Sequence, residues 1–308
     1  MYNAATVENN HQAQCKRVAD ACRVAGLTID QPVEHVASTR TAELYYAAGT
    51  SGIIVKAARS WDAGDALEVY TAHERWIKAL EDAALPGQVA VVRPLAWIAD
   101  PPAVCLEHAE GSQLDHLLRA RDRPDDRSLP LSQGVFKRLG AALGAYHRST
   151  AVGYGEAARA ATTRVARKLR IPRRTTESLT NEVIAAVTAG DFGPHNVHVT
   201  DHGRVTILDI ECTTMHVTVH RDVAWFLYWC RWCTRDLGSI EGKIVEQFLS
   251  GYADVGYELR GGRNRQLIEM YFCLFHAQRA LRRVRQGKWR EAFVFSVAAS
   301  LSWGRVLW

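Results

Sequence analysis

One short loop, together with the strand that follows it, constrains this chain more than any other feature. The loop Gly190-Asp191-Phe192-Gly193-Pro194-His195-Asn196 contains a carboxylate and a side-chain amide. The β-branched run Val205-Thr206-Ile207-Leu208 predicts a buried strand, and Asp209 stands at its end. Carboxylate and amide oxygens are hard ligands of the kind that Mg²⁺ prefers. The pattern therefore predicts a fold in which a loop and a strand end bring Asp191, Asn196 and Asp209 to one divalent cation.

The order Asp-x-x-x-x-Asn, then a strand ending in Asp, resembles the catalytic and metal-binding loops of the aminoglycoside phosphotransferase and choline kinase-like family. The resemblance implies an α+β, bilobal protein kinase-like fold, with a small antiparallel β-sheet lobe and a larger, mainly helical lobe. It also implies an enzyme that moves the γ-phosphate of ATP to a hydroxyl group with the help of Mg²⁺. Asp191 would then orient the acceptor hydroxyl and take its proton. The metal ligands would be Asn196 and Asp209, with Glu211 as a further acidic position.

The length and the hydrophobic pattern predict two lobes. With 308 residues the chain is long enough for both, and we expect an N-terminal nucleotide-binding lobe over residues 1–107 and a catalytic and acceptor-binding helical lobe over residues 108–308. Strand-like patterns predict a five-stranded antiparallel sheet. Its strands lie at 33–37, 44–48, 53–56, 89–98 and 103–106, and helices are predicted at 9–25, 62–80 and 132–148.

Lys56 closes a β-branched strand. The resemblance places it where a kinase lysine reaches the α and β phosphates and is held by a glutamate on the next helix. We expect Glu74 to be that glutamate, and Glu68 is the alternative on the same helix.

Two backbone segments are expected to contact the nucleotide. The resemblance implies that the loop containing Ser38, Thr39 and Arg40 covers the phosphates with backbone N–H groups, hydroxyls and a guanidinium. This loop lacks the glycines of eukaryotic protein kinases, which favours the small-molecule branch. The resemblance also implies a hinge between the lobes, where backbone groups near Glu107 and Ala109 would meet the adenine edge.

The catalytic segment departs from the family at one position, since the usual His-Gly-Asp is Ala189-Gly190-Asp191 here. We expect this change to loosen the hydrogen bonding of the loop without removing the base or the metal ligands. His195 is expected to be hydrogen-bonded within the loop. Asp222, before an apolar helix, is expected to cap that helix and to tie back the catalytic loop.

Charge restricts the choice of acceptor. The net charge is +5, and basic residues concentrate in 156–176 and from 256 onward. A polycationic antibiotic needs an acidic cleft, so this distribution disfavours a typical aminoglycoside. The main expectation is a small-molecule hydroxyl acceptor of the antibiotic, sugar or amino-alcohol type.

Two rival interpretations stay open. The basic, apolar C-terminal run 293–308 can rest on an anionic membrane surface, so one alternative is a kinase of a lipid-linked or surface glycan. The other is a non-catalytic, nucleotide-binding pseudokinase or scaffold, which Ala189 and the glycine-free loop motivate. Nucleic acid is not expected as a partner, because no recognised binding motif accompanies the charge.

The N-terminal residues and the cysteines bear on location. Residues 1–14 lack a basic start followed by an apolar core, so they do not resemble a secretory signal. The seven cysteines are scattered and show no zinc-site spacing. We therefore expect a cytoplasmic protein with reduced thiols. Under the lipid-linked alternative, the expected location is the inner face of the membrane.

Overall fold

The structure is a computed structural model. It describes residues 4–30, 32–38, 42–48, 52–85, 87–120, 132–153, 155–181, 183–210, 215–234 and 239–307. The chain forms two compact units, each built from several segments. Unit 1 contains Met1–Lys78, Ala90–Glu110 and Thr206–Cys212, and unit 2 contains Ala79–Val89, Gly111–Val205 and Thr213–Trp308. The domain boundary expected between residues 107 and 108 stays a prediction.

An antiparallel sheet dominates unit 1, as the sequence predicts. The chain up to Glu107 contains α1 (Ala4–Val24), β1 (Glu34–Ser38), β2 (Ala42–Ala47), β3 (Ile53–Ala58), α2 (Ala63–Asp82), β4 (Val89–Val91), β5 (Pro94–Ala99) and β6 (Pro102–Glu107). Five of these strands pair in the order β1-β2-β3-β6-β5, and all four pairings are antiparallel.

The two faces of this sheet bury different helices. Val55 and Cys105, which are paired in register, pack with Val18 and Cys22 of α1 in one core cluster. Val104 packs on the other face with residues of α2, and it is the register partner of Lys56. Because side chains alternate between the faces of a strand, Lys56 is directed to the α2 face.

The strand expected over 89–98 is interrupted, which corrects that prediction. Val92 donates its N–H to the carbonyl oxygen of Ile207 at 2.8 Å, and the register shifts between Pro94 and Ala96. Proline has no N–H to continue a ladder, so the chain changes partner just before Pro94. Only β5, after the break, belongs to the five-stranded sheet.

Unit 2 is mainly helical. Its helices are α3 (Leu114–Arg119), α4 (Val135–Thr150), α5 (Glu156–Lys168), α6 (Arg173–Thr180), α7 (Val219–Thr234), α8 (Ser239–Val255), α9 (Gly262–Arg285) and α10 (Trp289–Leu307). The short strands of unit 2 are β7 (Ser112–Gln113), β8 (Ala185–Val187), β9 (Val197–Val199) and β11 (His216–Thr218). Strand β10 (Val205–Ile207) begins at the last residue of a unit 2 segment and continues in the Thr206–Cys212 segment of unit 1. Strands β7 and β9 pair antiparallel, and so do β8 and β11. This small-sheet and large-helical composition confirms the expected α+β class.

Glycines allow two helices of unit 2 to approach closely. A Cβ on Gly144 of α4 would lie 2.8 Å from the carbonyl oxygen of Tyr252 in α8, and one on Gly140 would overlap that of Phe248. Only hydrogen fits at these positions. The close contact holds α4 and its last turn, which contains His147, firmly against α8.

No helix among the described residues is long and apolar enough to cross a membrane.

Candidate functional site

The loop after β8 holds the aspartate that the sequence identifies as the reacting group. Gly190 has a φ of +67°, in the left-handed region that favours glycine, immediately before Asp191. The short 3₁₀ turn Pro194–Asn196 follows and leads into β9. Each side-chain oxygen of Asp191 lies within hydrogen-bond distance of an aromatic nitrogen.

Two aromatic nitrogen groups orient the Asp191 carboxylate. The Trp225 indole Nε1 donates to Oδ1 at 2.8 Å, and the His195 Nε2 lies 3.0 Å from Oδ2. The expected local hydrogen bond of His195 is thereby confirmed. Trp225 lies on α7 and was not anticipated from the sequence, where it is one apolar residue of a Trp-rich helix. The carboxylate is held in one orientation while about a third of the side chain stays exposed.

Asn196 is fixed through its amide nitrogen. Its Nδ2 donates to the backbone oxygen of Asp191 at 3.0 Å, which leaves the Oδ1 atom to act as an acceptor. Gln113 braces the same turn by donating from Nε2 to the backbone oxygen of His195 at 2.5 Å. An amide held in this way presents its oxygen, which is the atom that a divalent cation would bind.

Asp222 ties the loop down, as the sequence predicts. The buried Asp222 carboxylate accepts from the Ala189 N–H at 2.6 Å and from the Thr188 hydroxyl at 2.9 Å. Arg221 donates to it at 2.7 Å. Helix α7 begins at Val219, so Asp222 lies in the first turn and does not occupy the capping position that was expected.

Thr188 provides several hydrogen bonds next to Ala189. Besides its bond to Asp222, the Thr188 hydroxyl accepts from the Gly190 N–H at 3.2 Å and from Arg221 at 3.0 Å. Ala189 itself is buried and contributes only its backbone N–H. The loop therefore keeps a dense hydrogen-bond network despite the loss of the histidine side chain. Sequence reasoning did not assign this role to Thr188.

A buried histidine extends the network away from the loop. His147 Nε2 lies 3.4 Å from Asp222, and its Nδ1 lies 2.8 Å from the Tyr252 hydroxyl. Burial alone would raise the pKa of Asp222. The hydrogen bond from His147, the charge of Arg221 and the Ala189 N–H outweigh burial and lower the pKa below its ordinary value. The carboxylate is therefore ionised and able to hold four donors.

In unit 1, Lys56 pairs with Asp209. The Lys56 Nζ donates to Oδ1 of Asp209 at 2.5 Å, and the ammonium lies 5.7 Å from the centre of the Trp61 ring. The expected Lys56–Glu74 pair is not formed among the described residues. Glu74 is exposed and accepts a hydrogen bond from Tyr70 on its own helix. Two of the residues that the sequence selected, Lys56 and Asp209, are thus in direct contact.

His73, one residue before Glu74, is the α2 side chain that reaches the Asp209 segment. It is fully buried, with Nδ1 2.8 Å from the Val69 carbonyl and Nε2 3.3 Å from the Leu208 carbonyl. Burial lowers the pKa of His73. This histidine links the helix to the backbone beside Asp209, and the only sequence signal for it was its place on the apolar face of α2.

The phosphate loop is described only at its first residue. The Ser38 hydroxyl donates to Glu43 at 2.5 Å, and Glu43 also pairs with Arg59. Hydrogen bonds from Ser38, Arg59 and His35 lower the pKa of Glu43 to about 2. Thr39, Arg40 and the candidate metal ligand Glu211 lie outside the described residues.

The hinge segment leaves β6 at Glu107. The Glu107 N–H donates to the Arg93 carbonyl at 2.9 Å, and the His108 N–H donates to the Gly52 carbonyl at 3.1 Å. Glu107 and Ala109 are half-buried. Contact between their backbone groups and an adenine ring stays a prediction.

The oxygen donors suit a hard cation. Asn196 in unit 2 has an amide oxygen and Asp209 in unit 1 has a carboxylate, and both are oxygen donors of the kind that hard cations prefer. Within the described part of the chain, no group of three or more His, Cys, Asp or Glu residues is arranged to hold a metal ion. The donor chemistry fits Mg²⁺, which is commonly bound through one or two protein oxygens together with phosphates.

No protein-family model matches this sequence, and no curated protein sequence does so either. Solved structures do resemble it. The amicoumacin kinase hAmiN, in complex with AMP-PNP, Ca²⁺ and Ami, is 15% identical with a TM-score of 0.55, over 94% of this chain and 95% of that chain. The macrolide 2'-phosphotransferase MphH from Brachybacterium faecium is 14% identical with a TM-score of 0.55, over 93% of this chain and 98% of that chain.

A third similar structure comes from Ralstonia eutropha, and its assignment as an aminoglycoside phosphotransferase is provisional. It is 12% identical with a TM-score of 0.60, and the match covers 94% of this chain and 97% of that chain. At such identities the likeness concerns the fold alone, and it extends over nearly the whole chain in all three cases. The chain therefore shares the protein kinase-like fold of these phosphotransferases, as its sequence motifs predict.

Proposed function

We propose that this protein transfers the γ-phosphate of ATP to a hydroxyl group of a small molecule of the antibiotic, sugar or amino-alcohol type, with Mg²⁺ as cofactor. The observation that carries the proposal is the Asp191 carboxylate, which Trp225 and His195 hold by hydrogen bonds at 2.8 and 3.0 Å. A partly exposed carboxylate in a fixed orientation suits a group that must align a hydroxyl and take its proton.

Each side chain of the loop has a definite part in this proposal. Asp191 accepts a hydrogen bond from the acceptor hydroxyl and takes its proton as the new P–O bond forms. Trp225 and His195 keep the carboxylate aligned, and Asp222 fixes the loop through Thr188 and the Ala189 N–H. Most of the rate enhancement in phosphoryl transfer comes from such positioning and from charge stabilisation, because the protein contributes little covalent chemistry.

The contact between Lys56 and Asp209 supports their proposed roles. The Lys56 ammonium and the Asp209 carboxylate are 2.5 Å apart and balance each other's charge. In the proposed complex, the same two charges would face the phosphates and the metal ion. We propose that Lys56 binds the nucleotide phosphates and that Asp209, Asn196 and Glu211 supply metal ligands. Bound Mg²⁺ would offset negative charge on the phosphates.

The nucleotide contacts are the remaining part of the proposal. We assign the adenine edge to backbone groups at Glu107 and Ala109, and the phosphates to the loop of Ser38, Thr39 and Arg40. Glu74 stays a proposed partner of Lys56 for the nucleotide-bound protein. Solved structures of this fold hold either base, since the amicoumacin kinase structure contains AMP-PNP and two aminoglycoside phosphotransferase structures contain GDP, and we propose ATP as the donor.

Incubation of the protein with Mg-ATP and a panel of hydroxyl-bearing metabolites and antibiotics tests the proposal. Transfer of labelled phosphate should be strong for the natural chain and nearly abolished in Asp191→Asn, which keeps the shape but cannot take a proton. Turnover that is unchanged by Asp191→Asn would refute the role of this residue. If nucleotide binds but neither protein transfers phosphate, the non-catalytic pseudokinase or scaffold interpretation is favoured instead.

A second candidate is a lipid-linked or surface-glycan acceptor, with the protein resting on an anionic membrane. The observation in its favour is the exposed apolar side of α10, where Trp289, Phe293 and Val294 are 67%, 71% and 60% exposed beside Lys288 and Arg290. Basic, amphipathic helices of this kind bind anionic interfaces. Phe295, by contrast, is buried, so only some of the apolar side chains in the run 293–308 are exposed and could contact a membrane.

Sedimentation with vesicles tests this second candidate. Vesicles with anionic lipid should carry the protein at low salt and release it at high salt, because ions screen the attraction. Equal sedimentation with neutral and anionic vesicles would contradict it. We propose the cytoplasm as the location in either case, including the inner face of the membrane for the second candidate.

A further inference from the structure

An arginine surrounded by aromatic rings lies in unit 2 near the catalytic loop. The Arg279 guanidinium of α9 lies 5.5 Å from the ring centre of Trp229, 5.6 Å from Trp232 and 5.9 Å from Phe295. Three faces of aromatic π-electrons hold a cation favourably. The side chain is nevertheless only half-buried, so part of the guanidinium remains accessible.

Trp229 connects this arginine to the catalytic carboxylate. Its ring centre lies 5.4 Å from that of His195 and 5.6 Å from that of Trp225. His195 and Trp225 are the two side chains that hydrogen-bond to Asp191. Two successive aromatic rings, first Trp229 and then His195 or Trp225, therefore connect Arg279 to the group that would activate an acceptor hydroxyl.

Polar atoms of the same cluster have no hydrogen-bond partner. They are Nε1 of Trp229, Nε of Arg279, and both ring nitrogens of His276. His276 is only 6% exposed and packs on Tyr228 and Phe295, with ring centres 5.0 and 6.2 Å away. Burial, followed by the charge of Arg231, lowers the pKa of His276 to about 4, so its ring is neutral at physiological pH. Buried polar groups are normally satisfied, so several unpaired ones in one cluster require a partner such as a water molecule, an ion or a ligand.

The charges around the cluster are mainly positive. Burial raises the pKa of the Tyr228 hydroxyl, and the charges of Arg279, Arg282 and Arg283 oppose this rise. The nearby acid Glu291 is already paired with Arg283 at 2.9 Å. A polycation would be repelled here, whereas an anion would be attracted.

We propose, given the phosphotransferase function above, that the acceptor carries an oxyanion (a carboxylate, sulfate or phosphate group) that binds Arg279 beside Trp229. The guanidinium supplies charge-assisted N–H donors to this group. The indole rings cover the apolar part of the same molecule and lead to Asp191, where its hydroxyl reacts. The substrate class is thus an anionic hydroxy compound.

Anion binding can be measured without any acceptor or nucleotide. Sodium sulfate and sodium acetate, each titrated against sodium chloride at matched ionic strength, should quench tryptophan fluorescence of the full chain, and Trp229→Phe should remove part of the response. Arg279→Gln should weaken sulfate binding by about tenfold or more, the usual loss when a charge-assisted contact is removed. The control is Arg285→Gln, an exposed arginine on the same helix, and it should bind sulfate as the natural chain does.

The outcomes separate this proposal from the phosphotransferase function. Equal anion binding by the natural chain and by a folded Arg279→Gln, verified by thermal unfolding without sulfate, would overturn the anion site. Transfer of phosphate to a neutral or cationic acceptor, at a rate unaffected by Arg279→Gln, would overturn it as well. Anion binding that is retained in Asp191→Asn, without phosphate transfer by the natural chain, would support the site and count only against the phosphotransferase function.

Discussion

The indole nitrogen of Trp225 donates a hydrogen bond to Oδ1 of Asp191 at 2.8 Å, and the two residues lie on different elements of unit 2. In Trp225→Phe the ring that packs on Phe275, with centres 5.1 Å apart, is largely kept while the donor is lost. We expect kcat to fall by about tenfold, because a hydrogen bond to a charged group contributes on the order of 1.5–3 kcal/mol. The KM for ATP should stay close to that of the natural chain.

The matched control for this substitution is Trp97→Phe, which alters a 38% exposed tryptophan of β5. Initial rates over a range of ATP concentrations would compare both variants. Equal losses of kcat in the two variants, or a loss that appears only in KM, would exclude an orienting role for the Trp225 nitrogen.

The Lys56–Asp209 ion pair should matter much more for turnover than for stability. The side chains of Lys56 and Asp209 are 16% and 36% exposed, and an asparagine at position 209 still offers Lys56 an amide oxygen, so we expect the loss of stability to be about 1 kcal/mol. Asp209→Asn should therefore change the free energy of unfolding only slightly. It should raise the Mg²⁺ concentration needed for the half-maximal rate, because one anionic ligand is lost. Urea unfolding and rates over a magnesium titration would measure the two effects. A large loss of stability with a normal magnesium response would make the pair structural.

Much of the fold follows from the sequence because it depends on local patterns. Strand patterns at 33–37, 44–48 and 53–56 predict strands of the sheet that is observed, and the helix predicted at 9–25 overlaps α1. These features need only the periods of strand and helix. The split of the 89–98 strand was missed because it depends on a partner, Ile207, that is distant in the chain.

Partner choice within the site was harder to predict for the same reason. Glu74 and His73 are neighbours in sequence, but one residue turns the side chain by about 100° around a helix, so only His73 faces the core. Trp225, Thr188 and His147 act through contacts between elements that no local spacing reveals. Asp191 and Asn196 could be identified because their side-chain types and their spacing in one loop are visible in the sequence, without knowledge of how the side chains pack.

The pH dependence of stability should report on Asp222. Its pKa is lowered in the folded protein, so its contribution to stability is fully present above the unfolded pKa of about 4 and is lost as the pH falls through the lower, folded pKa. Asp222→Asn removes the charge and leaves Arg221 and the loop donors poorly paired, with an expected loss of about 3–5 kcal/mol near neutral pH. Urea unfolding between pH 3 and pH 7 should show the difference between the two proteins shrinking toward acid pH. A difference that is the same at every pH would argue against an ionised Asp222.

Replacing glycine with alanine should change the stability of the protein in opposite directions at two positions of α8, because only one of them lies at the contact with α4. A Cβ on Gly251 would overlap the backbone oxygen of Lys137, which cannot move without shifting α4, whereas one on Gly242 would have no neighbour within 4 Å. Gly251→Ala should therefore destabilise the protein by at least about 2 kcal/mol through overpacking. Gly242→Ala should stabilise it by about 0.5–1 kcal/mol, since alanine loses less backbone entropy in a helix. Thermal unfolding compares the stability of the two variants. Because His147 and Tyr252 are hydrogen-bonded across this contact, Gly251→Ala should also lower kcat in the protein that remains folded. Equal unfolding temperatures for the two variants would show that the helices are not in close backbone contact.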